Sequence, residues 1–170
     1  MTDSPSIELL KATISPGSKQ DGTDHTLYGP CHCGFVKYTV AFPSSTLQTR
    51  TARRCNCTVD LKQGTTYYGL PHSDFSLLSP PSLNDLADYK PKPNGGVHKY
   101  FCPTCGVQIA AAGTFAFQGQ VREFFQINVG SLDQPQNGLD LGTWKVAYVD
   151  GRNDGWEDGA RGTPFPGSLP

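Results

Sequence analysis

The sequence predicts a mainly β fold of antiparallel sheets tied together by a four-cysteine metal site, with little helix. Apolar residues alternate with period two through most of the middle of the chain, and nineteen glycines with fourteen prolines interrupt it too often for long helices. Six cysteines fall into three close pairs, a spacing that suits metal ligation. A length of 170 residues suits one domain with a real core.

Residues 1–27 are polar and broken by Pro5, Pro16, Gly17 and Gly22, and read as an N-terminal extension. Ile7, Leu9, Leu10 and Ile14 supply one short strand within it, and His25 is expected to be solvated. Residues 28–150 read as the β domain. Val36, Tyr38, Val40 and Phe42 alternate, as do Phe125, Ile127 and Val129, which predicts two half-buried strands. Runs bounded by turn residues at 65–70, 74–78, 97–101, 107–112 and 144–149 predict five more, and antiparallel sheets are the simplest assembly of them. From Gly151 the chain is dense in Gly, Pro and charge, so residues 151–170 read as a draped tail, with Trp156 and Phe165 as its anchors.

Fourteen Lys and Arg against fifteen Asp and Glu give a net charge of −1, with no basic face to neutralise phosphates. A small molecule is therefore the expected partner, and nucleic acid is not. The start MTDSPSIELL lacks a basic segment followed by an apolar one, and no eighteen apolar residues run together, so neither secretion nor membrane insertion is signalled. The expected setting is the reducing cytoplasm, where cysteines serve as ligands or catalytic thiols.

Cys102-Pro103-Thr104-Cys105 followed by Gly106 is the turn of a zinc knuckle: two thiolates face one tetrahedral ion and glycine relieves the tight backbone. Cys31-His32-Cys33-Gly34 offers a second pair at the head of a strand. Cys31, Cys33, Cys102 and Cys105 would then close a four-sulfur site joining two distant strands. Buried unligated thiols and a redox Cys-x-x-Cys are the competing readings, the latter without the βαβ context it needs.

Cys55-Asn56-Cys57 remains, with Asp60 three residues on. Two thiolates do not satisfy zinc, and the Asp60 carboxylate is the candidate third ligand. Arg53 or Arg54 is the candidate cation to lower the thiol pKa values. Two unligated thiols beside a solvated aspartate remain the alternative. His98, four residues before Cys102, is the candidate catalytic base, with His72 next; His32 is expected to point away from the metal. Gly95-Gly96 reads as turn chemistry, and Tyr67 and Tyr68 as core aromatics with one hydroxyl at a pocket wall.

In order and spacing, GPCHCGFVKYTV at 29–40, RRCNCTVDLKQG at 54–64, YFCPTCGVQI at 100–109 and QINVGSLD at 126–133 resemble the glutathione-dependent formaldehyde-activating family, which includes centromere protein V. The resemblance covers about residues 28–149. It implies a β-tent fold, a structural zinc on Cys31, Cys33, Cys102 and Cys105, and a catalytic zinc whose first two ligands are Cys55 and Cys57. The implied reaction is carbon–sulfur lyase chemistry, in which glutathione adds to formaldehyde or leaves its adduct. Where the family has its third catalytic cysteine this sequence has Asp60, a harder and weaker donor that is expected to leave the site more Lewis acidic and readier to hold water.

The expected function is a zinc-dependent lyase-like enzyme acting on a glutathione adduct, a thioether or a carbonyl metabolite of a specialised pathway. Two alternatives stay open: a metal-free acid–base pocket catalysing dehydration, isomerisation or cyclisation, and a non-catalytic zinc-stabilised binding module.

Overall fold

A computed structural model of the chain describes residues 25–43, 50–136 and 138–168. The strand expected from Ile7, Leu9, Leu10 and Ile14 lies outside the described residues. In chain order the elements are β1 (His25–Tyr28), β2 (Lys37–Phe42), β3 (Thr51–Cys55), α1 (Thr58–Gln63), β4 (Tyr67–Gly69), β5 (Phe75–Ser79), β6 (Ala87–Tyr89), β7 (Val97–Phe101), β8 (Gln108–Phe117), β9 (Gln120–Asn128) and β10 (Lys145–Val149). Short 3-10 turns fill several connections. The fold is mainly β with little helix, as the punctuation by Gly and Pro requires.

Two sheets form. One is three-stranded in the order β1-β2-β5, and the other seven-stranded in the order β10-β3-β4-β9-β8-β7-β6. Period-two alternation drives the first: Tyr38, Val40 and Phe42 of β2 are buried on one face, while Lys37, Thr39 and Ala41 alternate outward. That face meets the second sheet through aromatic contacts, Phe75 against Phe125 at 4.9 Å and Phe42 against Tyr68 at 5.2 Å between ring centroids. Tyr100, Ala110 and Ile127 complete the same core, and the Tyr38 hydroxyl is satisfied by Ser131 Oγ at 2.7 Å.

Three features depart from expectation. β10 runs parallel to β3, whereas the other pairings are antiparallel. The long stretch of chain between them supplies the crossover that parallel pairing needs. The β8–β9 hairpin extends well past the expected runs at 107–112 and 125–129, pairing from Ala110 with Ile127 out to Phe117 with Gln120. Its turn places both Gln118 (φ 48) and Gly119 (φ 73) in the left-handed region, the twist that a two-residue hairpin prefers. Finally, β1 crosses residue 27, where the extension was expected to end, and pairs fully with β2 from His25 with Phe42 to Tyr28 with Thr39.

The segment after Gly151 is held to the body. Tyr148 and Arg161 exchange backbone hydrogen bonds at 2.8 and 3.0 Å, and the Arg161 guanidinium lies over the Phe165 ring at 3.6 Å. Among the described residues no helix is long and apolar enough to cross a membrane.

Ile127 is fully buried in the core and Val121 is 76% exposed near the hairpin tip. Ile127→Ala is expected to cost about 2–5 kcal/mol. Val121→Ala should stay within about 0.5 kcal/mol. Equilibrium guanidinium melts of the two variants check both.

Candidate functional site

The outer cysteines meet as the spacing predicts. One sulfur from each of Cys31, Cys33, Cys102 and Cys105 lies within 4.8 Å of the others, with Cys33 Sγ at 3.5 Å from Cys31 and 3.6 Å from Cys102. Two turns of like construction bring them there. In the first, the Cys31 amide bonds to the Val36 carbonyl and Cys31 Sγ accepts from the Val36 amide; in the second, the Cys102 amide bonds to the Val107 carbonyl and Cys102 Sγ accepts from the Cys105 amide. Gly34 (φ 76) and Gly106 (φ 73) occupy the left-handed position in each, which a residue with a Cβ rarely adopts. Cys31 and Cys102 are buried, and the four sulfurs form a donor set suited to a thiophilic metal such as zinc.

The middle motif also comes together. Cys55, Cys57 and Asp60 each present one ligand atom within 4.8 Å of the others, and Cys55 and Asp60 are buried. Cys55 ends β3, and Cys57 caps α1, its sulfur accepting from the Asp60 amide at 3.5 Å. The Cys57 amide in turn points at Cys55 Sγ at 3.3 Å. This short helix, closed by Gly64 (φ 63), turns the Asp60 side chain back toward the two thiols. The hydrogen bond between the two thiols, with burial, pushes Cys55 up; the same bond draws Cys57 down to about 7, opposed by burial and the Asp60 charge and helped by the Asp60 amide and the Lys99 charge.

Lys99 is the residue that spacing did not reveal. Its ammonium donates to Asp60 Oδ1 at 2.6 Å, and both side chains are 7% exposed. The Tyr67 hydroxyl lies 3.3 Å from the same nitrogen, and the Tyr67 ring lies 4.5 Å beneath it. Burial works against the Lys99 charge, but Asp60 and Tyr67 outweigh it and raise the lysine above its ordinary pKa. Breaking a buried pair of this kind leaves an uncompensated charge and costs about 3–5 kcal/mol.

β7 alternates, and this parity decides where the histidine goes. With Lys99 turned to the thiols, His98 faces the other way, bonds to Asp88 Oδ2 at 2.7 Å and stacks on Tyr100 at 5.9 Å. The structure therefore does not bring His98 to Cys55, Cys57 and Asp60, and its neighbour Lys99 takes that place. His72 packs edge-on against Phe125 at 4.7 Å, where burial lowers its pKa. Arg54 bonds through Nε to Thr66 Oγ1, and Lys99 is a cation that draws Cys57 down. Tyr67 is the tyrosine whose hydroxyl meets the site, and Tyr68 packs with Phe42 and Trp144 in the core. A lysine flanked by His98 and Tyr100 in a strand was the available signal, because a charge so placed needs a buried partner.

Asn56, between the two cysteines, is 2% exposed and binds the C-terminal segment with both ends of its amide. Nδ2 donates to Asp150 Oδ1 at 2.6 Å and Oδ1 accepts from the Arg152 amide at 2.9 Å. Between these, Gly151 lies so close to Cys55 that a Cβ on it would sit 2.4 Å from the sulfur and 2.6 Å from the Trp156 ring. The segment expected to drape over the surface thus forms one wall of the site, with Trp156 beside it.

A family profile described as glutathione-dependent formaldehyde-activating enzyme matches residues 26–141. Among solved structures, the crystal structure of a Rhodobacter sphaeroides protein is 24% identical, covering 65% of this chain and 91% of that chain with a TM-score of 0.49. No curated protein matches the chain.

Cys102→Ser is expected to remove a buried sulfur from the outer cluster and leave the protein insoluble or unfolded; a variant that melts at the wild-type temperature without metal would show that the cluster is not structural. Asn56→Ala deletes both bonds to the C-terminal segment and should expose it to limited proteolysis near Arg152 while the core melts as before.

Proposed function

The chain belongs to the glutathione-dependent formaldehyde-activating enzyme family, and on that premise we propose that it is a lyase-like enzyme working at Cys55, Cys57 and Asp60. Its reaction is the addition of a thiol across the C=O bond of a small carbonyl compound, or the reverse. Sulfur bonds to carbon and the thiol proton passes to oxygen. The observation that supports this reading is the gathering of two sulfurs and a carboxylate oxygen within 4.8 Å. That donor set fits zinc, as does the outer one, so Cys31, Cys33, Cys102 and Cys105 would hold a structural ion and Cys55, Cys57 and Asp60 a second. Bound at the second site, zinc supplies polarisation of a carbonyl oxygen and a lowered pKa for an incoming thiol.

The chain's own groups prepare that site. Backbone amides of Cys57 and Asp60 point at the two sulfurs and fix their direction. Lys99 holds the carboxylate, and the Tyr67 hydroxyl lies within reach of the same ammonium. Asp150 and Arg152, bound by Asn56, press Gly151 against Cys55 and limit the entry of water on that side. The substrate class is a glutathione adduct, a thioether or a carbonyl metabolite of a specialised pathway, and a carboxylate in place of a thiolate gives a harder centre suited to the oxygen of a carbonyl group. All six cysteines are free thiols, in keeping with a reducing, cytoplasmic setting.

One observation favours a second reading. Asp60, Lys99 and Tyr67 form a buried set of hydrogen-bonded proton carriers, which suits dehydration, isomerisation or cyclisation of a metabolite without a second metal.

Metal analysis separates the two. The lyase reading expects two zinc equivalents per chain and a Cys57→Ser variant that folds, keeps one equivalent and loses turnover. One equivalent in the active wild type, with activity lost in Asp60→Asn at unchanged metal content, supports the acid–base reading instead. Asp60→Cys restores three thiolates and is expected to raise S-hydroxymethylglutathione formation from glutathione and formaldehyde, measured by the depletion of free thiol.

A further inference from the structure

We infer that Lys99 is a positioning residue: by taking one oxygen of Asp60 it makes this carboxylate a one-oxygen metal ligand and balances the charge of the centre. The inference rests on the reading of Cys55, Cys57 and Asp60 as metal ligands.

A thiolate offers one donor atom, so a three-cysteine site has no choice of denticity. A carboxylate has two oxygens and can chelate, swing or bridge. Here Oδ1 is committed to Lys99 at 2.6 Å, and among the described residues no hydrogen bond reaches Oδ2. The lysine is itself restrained. Its nitrogen is 3.3 Å from the Tyr67 hydroxyl and lies over that ring, and its position on β7 is opposite Ala111, whose small side chain leaves room for the lysine stem. β7 then runs directly into Cys102, so the strand bearing Lys99 is anchored by the outer cluster.

Charge points the same way. Two thiolates and a carboxylate carry three negative charges, a divalent ion returns two, and the Lys99 ammonium supplies the third. The buried assembly is then neutral, which a low-dielectric site favours. A neutral centre with one carboxylate oxygen bound keeps an open position for an oxygen-donor substrate.

Cobalt(II) titration tests this, since sulfur-to-cobalt absorption and d–d bands report each site directly. Wild type is expected to take two equivalents. Lys99→Met should keep the spectrum of the four-sulfur site and bind the second equivalent about 10- to 100-fold more weakly, with a shifted d–d band. In an Asp60→Cys background the same lysine change should weaken second-site binding by a clearly smaller factor than in the wild type, because the charge balance is still lost but the carboxylate that Lys99 positions is gone. If Lys99→Met does not fold, Lys99→Arg serves. It retains the charge, but its fork engages both carboxylate oxygens, so second-site affinity should again fall. Two equivalents bound with wild-type affinity and spectrum in Lys99→Met, or wild-type affinity in Lys99→Arg, overturn the inference alone. A single equivalent in the wild type overturns the metal reading beneath it and the inference together.

Discussion

Two sheets that share no hydrogen-bonded ladder must be held at a defined angle, and in this chain the four outer sulfurs meet where the head of the smaller sheet touches the end of a strand of the larger. The aromatic core between the sheets, built around Tyr38, Phe42, Phe75, Phe125 and Ile127, is large but tolerates sliding, since apolar burial has no preferred direction. Cys31 and Cys33 lie just before β2 of the smaller sheet, while Cys102 and Cys105 lie just after β7 of the larger. Bringing these sulfurs within bonding range of one ion fixes both the separation and the rotation of the sheets at one end. Each turn is already shaped for the task, because amides aim at the inner sulfurs and a left-handed glycine closes the backbone behind them.

That restraint reaches the middle motif through β7. The strand passes Lys99 and enters the Cys102 turn three residues later, so the position of the outer cluster determines the depth and register of the lysine. Lys99 in turn holds Asp60, and α1 is too short to hold that side chain by its own hydrogen bonds. The two cysteine groups are therefore mechanically coupled. Disruption of the outer cysteine cluster would loosen the end of β7 and with it the hold of Lys99 on the Asp60 carboxylate. Coupling of this kind lets a small domain use one structural site to organise a second, less rigid one.

Much of this was legible in the sequence because it followed from local rules. The alternation from Val36 to Phe42 became β2 from Lys37 on, the run at 97–101 became β7, and Phe125 and Ile127 fell in the inner half of β9, with Val129 in the 3-10 turn that follows. The matched Cys-Gly turns announced the outer cluster, and Asp60 was legible as the carboxylate three residues past Cys57. What escaped were features set by contacts distant in sequence. The parallel pairing of β10 with β3 depends on a crossover that no local pattern records. Face assignment in β7 was decided by the partner of Lys99, so His98, chosen for its chemistry, went to Asp88 and Tyr100. Asn56 sits between Cys55 and Cys57 with no local sign of a role, because its side-chain partners, Asp150 and the Arg152 amide, lie near the far end of the chain.

Aspartate at position 60 also changes what the interior around Cys55 and Cys57 must supply. A carboxylate brings a second oxygen and a demand for hydrogen bonds that a thiolate does not make, and an interior that excludes water must meet that demand from its own groups. Lys99 and Tyr67 meet it here. On the opposite side of Cys55, the segment from Asp150 to Trp156 lies outside the residues matched by the family profile, yet it closes the space beside the sulfur. Asp60, the buried cation that holds it and a wall drawn from the C-terminal segment thus meet at one place beside Cys55 and Cys57. Together they set the charge around the two sulfurs and the room beside them.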